Sequence, residues 1–325
     1  MDPILTPIFV GPFAEELKRF LEQKRALGYK YGIESWMLKD FDRYTKEKDC
    51  HESNLSEEVI VEWAKKRPNE TSGKTSYSRY SLMRQLGLFL VHNGKIDVFV
   101  PELPRKPPSG FAPYIFTHGE IKKLFSVLDS WDTDGHRSDI FNAMPVLFRM
   151  IYGCGLRISE ALDLLNDDVD LDVGTIHIIN SKFMKERLLP MSDSLLAVCR
   201  KYVAKKEPSE KNDFFFQQRN GTQFTRRRIY SYFRQAIFEC GIPHKGRTAS
   251  VRVHDLRHTF AVHSLNKLEK ENIDVYAALP SLSAYMGHSN LSSTSTYLRL
   301  TAEVFPDILQ QVEQYFNMDN KEKNI

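Results

Sequence analysis

Residues 144–191 read MPVLFRMIYGCGLRISEALDLLNDDVDLDVGTIHIINSKFMKERLLPM. The stretch opens on MPVLFRMIYGCGL, a mostly apolar run that predicts a core helix closing at a Gly-x-Gly turn. It ends with TIHIIN, a short polar stretch and ERLLPM. Alternation and β-branched residues on the first arm predict a β-hairpin. From MSDSLLAVC onward the pattern is helical. One small hairpin set among helices predicts a mainly α fold with a small sheet, α+β in class.

Upstream, PELPRKPPSGFAPYIFT (residues 101–117) holds five prolines, cannot continue a helix and reads as an extended linker. At 325 residues, two domains are expected. We place a helical domain at 1–103, the Pro-rich linker at 104–116 and a second domain at 117–325. Four helices are predicted before the linker. Pro12 opens the first, with Phe13, Leu17, Phe20 and Leu21 on one stripe and Gly28 at its C-terminal stop. Trp36, Phe41 and Tyr44 mark the second. Ser56 caps the third, and Leu55 with Ile60 has the spacing of a hydrophobic staple. The fourth turns Leu82, Leu86, Phe89 and Leu90 inward and Tyr77, Arg79, Tyr80 and Arg84 outward. That outward mix of aromatics and cations suits a helix facing a DNA groove, or an ordinary surface. After the linker, Thr117 and Glu120 form a capping box ahead of Ile121, Leu124, Phe125 and Leu128. The tail VFPDILQQVEQYF predicts an amphipathic helix.

With 42% hydrophobic and 12% aromatic residues, each domain has the material for a core. Cys50, Cys154, Cys199 and Cys240 are scattered without a CxxC, which argues against a disulfide framework and a zinc ribbon and for a reducing cytosol. The start, Met1-Asp2-Pro3, lacks the features of a signal peptide, and no run approaches the ~18 apolar residues of a membrane span. A soluble cytoplasmic protein is expected. The net charge of +3 says nothing about nucleic acid, but residues 182–252 carry 16 Lys and Arg against 6 Asp and Glu. Arg226, Arg227 and Arg228 sit at the centre of this stretch. It suits a phosphate-binding surface, or a solvated basic face.

Four local patterns remain: GCGLRISEAL (153–162), NSKFMKERLLP (180–190), HDLRHTFA (254–261) and MGHSNLSSTSTYLRL (286–300). Each alone is weak. In this order, with a lysine on the hairpin between them, they resemble the boxes of the tyrosine recombinase (phage integrase) family. The resemblance covers the whole second domain, and the first domain resembles the family's helical core-binding DNA-binding domain. It implies catalytic roles for Arg157, Lys182, His254, Arg257, His288 and Tyr297, the last as nucleophile. The wording of LPSLSAYMGHSNLSSTSTYLRLT resembles transposon-borne members.

The chemistry explains the residue types. Attack of a tyrosine hydroxyl on a phosphodiester builds extra negative charge at phosphorus. Two planar guanidinium forks, Arg157 and Arg257, would hold the non-bridging oxygens and compensate that charge. A covalent 3′-phosphotyrosine conserves the bond energy, so rejoining requires no ATP and no cofactor. Tyrosine ionises near pH ~10, so its proton must be accepted during attack. The resemblance implies His254 as acceptor, Lys182 as donor to the departing 5′-oxygen, and His288 as a hydrogen-bond donor to phosphate. Lys185, three residues on, competes with Lys182 for that role.

The remaining neighbours read as structural. Tyr285 is expected to pack with its hydroxyl near the surface. His258 and Asp255 are expected to support the site without taking part in the chemistry. Glu160 resembles the family's buried acid and would steady the Arg157 loop. His177 reads as inert. The histidine and carboxylate spacings do not suggest a metal site. The stretch NKLEKENIDVYAALP runs several residues longer than is usual in the family, and a surface loop would absorb it. The implied partner is double-stranded DNA, with four protomers on two sites, as a homo-tetramer or with related recombinases. The amphipathic tail would then dock on a neighbour or pack within its own chain. A type IB topoisomerase and a catalytically silent DNA-binding relative are the alternatives. Strand exchange between two sites separates the first, and covalent adduct formation the second.

Overall fold

A computed structural model describes residues 7–48, 50, 55–95, 97–107, 112–131, 138–179, 186–243, 250–288, 297, 298, 300 and 301. The chain forms two compact units, Met1–Gly110 and Phe111–Ile325.

In the first unit, amphipathic periodicity yields α1 (Ala14–Ala26), α2 (Gly32–Glu47), α3 (Glu57–Ala64) and α4 (Lys74–His92). Leu17, Phe20, Leu38, Phe41, Ile60, Trp63, Leu82 and Leu86 form their common core. Pro12 lies in the turn before α1, whose N-cap is Phe13, and Gly28 takes a positive φ of 84° just beyond its end. Ser56 Oγ accepts from Val59 N at the start of α3, and the staple residues Leu55 and Ile60 are both buried.

The outward assignment of Arg79 is overturned. Its side chain is buried, its guanidinium pairs with Glu70 at 2.6 Å, and it also donates to the carbonyls of Ala64 and Lys65. It ties α4 to the end of α3 and to the turn beyond. Arg84 is also engaged, donating to the Pro101 carbonyl at 2.9 Å, and Tyr77 is half-buried.

The second unit packs α5 (His118–Asp129), α6 (Ser138–Gly153), α7 (Ile158–Asp163), α8 (Asp193–Lys205), α9 (Arg226–Glu239), α10 (Val253–Lys270) and α11 (Val275–Met286) around a small sheet. The Thr117–Glu120 capping box opens α5. The sheet is antiparallel in the order β1 (Val169–Asp170), β2 (Thr175–Ile178), β3 (Arg187–Pro190). Its hairpin pairs Ile176 with Leu189 and Ile178 with Arg187. Alternation on β2 buries Ile176 and Ile178 against the helices. The hairpin tip, with Lys182 and Lys185, lies outside the described residues, as does the tail beyond Thr301.

No long loop absorbs the extra residues before MGHSN. α10 continues to Lys270, a turn spans residues 271–274, and Asp274 caps α11 by accepting from Tyr276 N. Asn272 takes the positive φ of 57° that this turn needs.

Removing one member of a buried ion pair leaves the other uncompensated. Arg79→Ala is therefore expected to lower stability by about 3 kcal/mol. A shifted midpoint in urea unfolding checks it.

Candidate active site

The site is built where the C-terminal ends of α6 and α11 meet the N-terminal half of α10. The last carbonyls of a helix have no partner within it and carry the negative end of the helix dipole. Two arginines supply the partners. Arg257 on α10 donates to Gly155 O and to Met286 O, both at 2.6 Å. Arg157, the N-cap of α7, donates to Gly287 O at 2.8 Å.

Gly155 has a φ of +60°, and a Cβ there would lie 2.5 Å from the Phe260 ring. Only glycine offers its carbonyl to Arg257 in that turn without strain. Gly287, at φ +63°, ends α11 in the same left-handed conformation.

Glu160 gathers the cations. Its carboxylate accepts from Arg157 Nη1 at 2.5 Å, from Arg187 Nη2 at 2.8 Å and from the Arg157 backbone N–H at 2.8 Å. Arg257 Nη1 stands 3.7 Å away. Burial alone would raise the Glu160 carboxyl. Hydrogen bonding and charge from Arg187, with the N–H and charge of Arg157, reverse this and hold it below the usual carboxylate range. The Arg157 side chain is 27% exposed and the Arg257 side chain 1%, so Arg157 presents the cluster to solvent and Arg257 anchors it.

Tyr297 is buried against this group. Its hydroxyl lies 3.0 Å from His258 Nδ1, beside the charges of Arg257 and Arg157. Its ring stacks on His288 with 5.9 Å between centroids, and His254 meets His258 edge-on at 4.7 Å. Burial raises the phenol's pKa, while Arg257 and Arg157 act against that rise.

Burial first, then neighbouring positive charge, pushes all three imidazoles down. His254 and His288 fall to about 4, with Arg257 and Arg157 the leading charges on both. His258 falls to about 3 through His254, Arg257 and His288. Arg257 itself is lowered to about 10 by burial and by Arg157.

The structure thus brings together Arg157, His254, Arg257, His288, Tyr297 and Glu160 from the sequence-predicted set. Asp255 supports the group from behind, accepting from Arg252 N at 2.8 Å to cap α10, and burial pushes its carboxyl up to about 6.

His258, expected to support the site, touches the Tyr297 hydroxyl. Tyr285 packs as expected, partly buried against the core with its ring stacked on Phe260 at 5.6 Å. Arg187, on Glu160, was missed. The signal for His258 was its position four residues after His254 on one helix face. Nothing in the sequence distinguished Arg187 from its basic neighbours. His177 pairs only loosely with Glu186, at 3.6 Å. Arg226 and Arg227 are exposed on the first turn of α9, whereas Arg228 donates to Gln218 at 2.6 Å. Among the described residues, no three His, Cys, Asp or Glu side chains gather as a metal would require.

A model of the phage integrase family matches residues 115–303. The putative integrase/recombinase y4rB of Sinorhizobium fredii is 26% identical over 320 residues, spanning 94% of this chain and 98% of its own. Tyrosine recombinase XerC of Oceanobacillus iheyensis is 30% identical over 246 residues, 72% of each chain. Among solved structures, the XerH site-specific recombinase bound to palindromic difH substrate aligns with a TM-score of 0.61 at 18% identity, over 82% of this chain and 74% of that one. The Tn1549 transposon integrase in complex with a circular intermediate DNA aligns at 0.59 and 17% identity, over 87% and 94%. At these identities the two structures speak for the fold. The chain belongs to the phage integrase family, and it is an enzyme of the tyrosine recombinase kind.

Replacing Glu160 by glutamine leaves two buried arginines and Arg157 without their shared anion. Glu160→Gln is expected to cost roughly 3 kcal/mol or more in urea unfolding. The histidines make stability depend on pH. Their folded pKa values lie below the unfolded value near ~6.5, so the unfolded chain binds more protons between that value and about 4. Their contribution is present above pH ~6.5 and is lost as pH falls through that window. Asp255 acts in the opposite sense with a single group. Melting temperature is expected to fall between pH 7 and 5, checked by calorimetry across that range.

Proposed function

We propose that Arg157, Arg257, His254, His288 and Tyr297 form the active site of a site-specific recombinase, with Tyr297 as the nucleophile that cuts and rejoins double-stranded DNA. The observation that carries this reading is the buried Tyr297 hydroxyl, 3.0 Å from His258 Nδ1 and beside the charges of Arg257 and Arg157. A phosphodiester beside Arg157 and Arg257 would meet forked donors and net positive charge. Nearby imidazoles, neutral near pH 7, can each accept a proton or offer one N–H to a phosphate oxygen.

Attack by Oη on phosphorus releases a 5′-hydroxyl and leaves a 3′-phosphotyrosine. Lys182, at the hairpin tip, is the donor to the departing oxygen on the strength of the family resemblance. The N-terminal unit is the second DNA-binding element, joined to the catalytic one by the Pro-rich linker. Exposed Arg226 and Arg227 extend the phosphate-binding surface. Four copies acting on two DNA sites complete the reaction, since strand exchange must join two duplexes.

The test is a nicked suicide substrate that traps the cleaved state. Wild type is expected to form a covalent protein–DNA adduct, and Tyr297→Phe none. An adduct that persists in Tyr297→Phe and disappears in Tyr285→Phe would overturn the assignment. Exchange between two labelled sites, as opposed to relaxation alone, separates recombination from topoisomerase action.

A further inference from the structure

The three histidines around Tyr297 are not equivalent toward its hydroxyl. His258 presents Nδ1 at 3.0 Å, a hydrogen-bonding distance. His288 lies face to face with the phenol ring, with planes 19° apart, and His254 packs edge-on against the far neighbour, His258.

We infer that His258 receives the proton of the Tyr297 hydroxyl as the phenol attacks phosphorus. The inference rests on Tyr297 being the nucleophile. Nδ1 is taken as the bare nitrogen, which accepts the hydroxyl hydrogen, and the ring hydrogen is placed on Nε2. The groups facing this imidazole include His254, Arg257, His288 and Tyr297. Burial and the charge of Arg257 keep it neutral and therefore open to a proton, yet weakly basic. A phosphodiester seated on the arginines adds negative charge, and more develops at phosphorus during attack. Both offset the repulsion from Arg257 and strengthen the base once DNA is in place.

The step balances. The Oη–P bond forms as the P–O5′ bond breaks, and the phenolic proton goes to Nδ1 to give an imidazolium. The departing 5′-oxygen takes its proton from a separate donor. On rejoining, the 5′-hydroxyl attacks phosphorus and gives its proton back to that donor, while the Oη–P bond breaks and His258 returns its proton to Oη. His254 is then left to hydrogen-bond a non-bridging oxygen.

The experiment is single-turnover cleavage of the nicked suicide DNA by wild type, His258→Ala, His258→Asn and His254→Ala. Each carries either ordinary tyrosine at 297 or a ring-fluorinated tyrosine whose hydroxyl ionises more readily. His258→Ala is expected to slow cleavage on the order of 100-fold, with a rate that climbs with pH. Fluorination should recover most of that loss. His258→Asn, which keeps an acceptor oxygen near the place of Nδ1 but cannot hold a proton, should stay slow, whereas fluorination should not rescue His254→Ala. The inference is overturned if His258→Ala cleaves at the wild-type rate, if His258→Asn restores that rate, or if fluorination rescues only His254→Ala. Absence of any adduct with wild type, or its persistence in Tyr297→Phe, would instead sink the nucleophile assignment itself.

Discussion

The Glu160 carboxylate, shared by Arg157, Arg187 and Arg257, is the interaction on which the site depends. Cations this close repel one another strongly in a poorly solvated pocket. One buried anion among them lowers that repulsion without cancelling it. The helix ends contribute a further share, because the carbonyls of Gly155, Met286 and Gly287 turn their negative ends on the same guanidiniums. The result is a cluster that is stable before any DNA arrives and still carries a net positive charge.

That residual positive field reaches the histidines. An imidazole beside two arginines loses its proton readily, so His254, His258 and His288 stay neutral at physiological pH. A neutral histidine is useful to this chemistry in a way that an imidazolium is not, since it has one nitrogen free to accept. The same arginines oppose the rise that burial imposes on the Tyr297 phenol. One set of charges therefore acts against the rise of the Tyr297 phenol and keeps the imidazoles neutral.

Much of the fold was legible because amphipathic periodicity and caps act locally. The Leu17, Phe20, Leu21 stripe, the Ser56 cap and the Thr117–Glu120 box all concern residues within a turn or two of one another. Arg79 shows where such logic stops. Its helical position pointed outward, but Glu70 in the preceding turn and the free carbonyls at the end of α3 fold over it. No periodicity records where a loop will lie. The surface loop expected before MGHSN is reduced to the exposed turn 271–274, because α10 lengthens instead.

Which residues would gather was legible in the motifs, and which of them would touch was less so. Two of the motifs supply both a side chain of the cluster and the end of a helix. GCGLR carries the Gly155 carbonyl for Arg257 together with Arg157 itself, and MGH carries the Gly287 carbonyl for Arg157 together with His288. Spacing within a motif is thus set by backbone geometry as much as by chemistry. A left-handed glycine must come at the helix end, and the functional residue one or two positions later. The pairing of His258 with Tyr297 has no such backbone signature. It arises from the docking of residue 297 onto α10, thirty-nine residues away in the chain, and only the folded arrangement distinguishes it from the neighbouring His254.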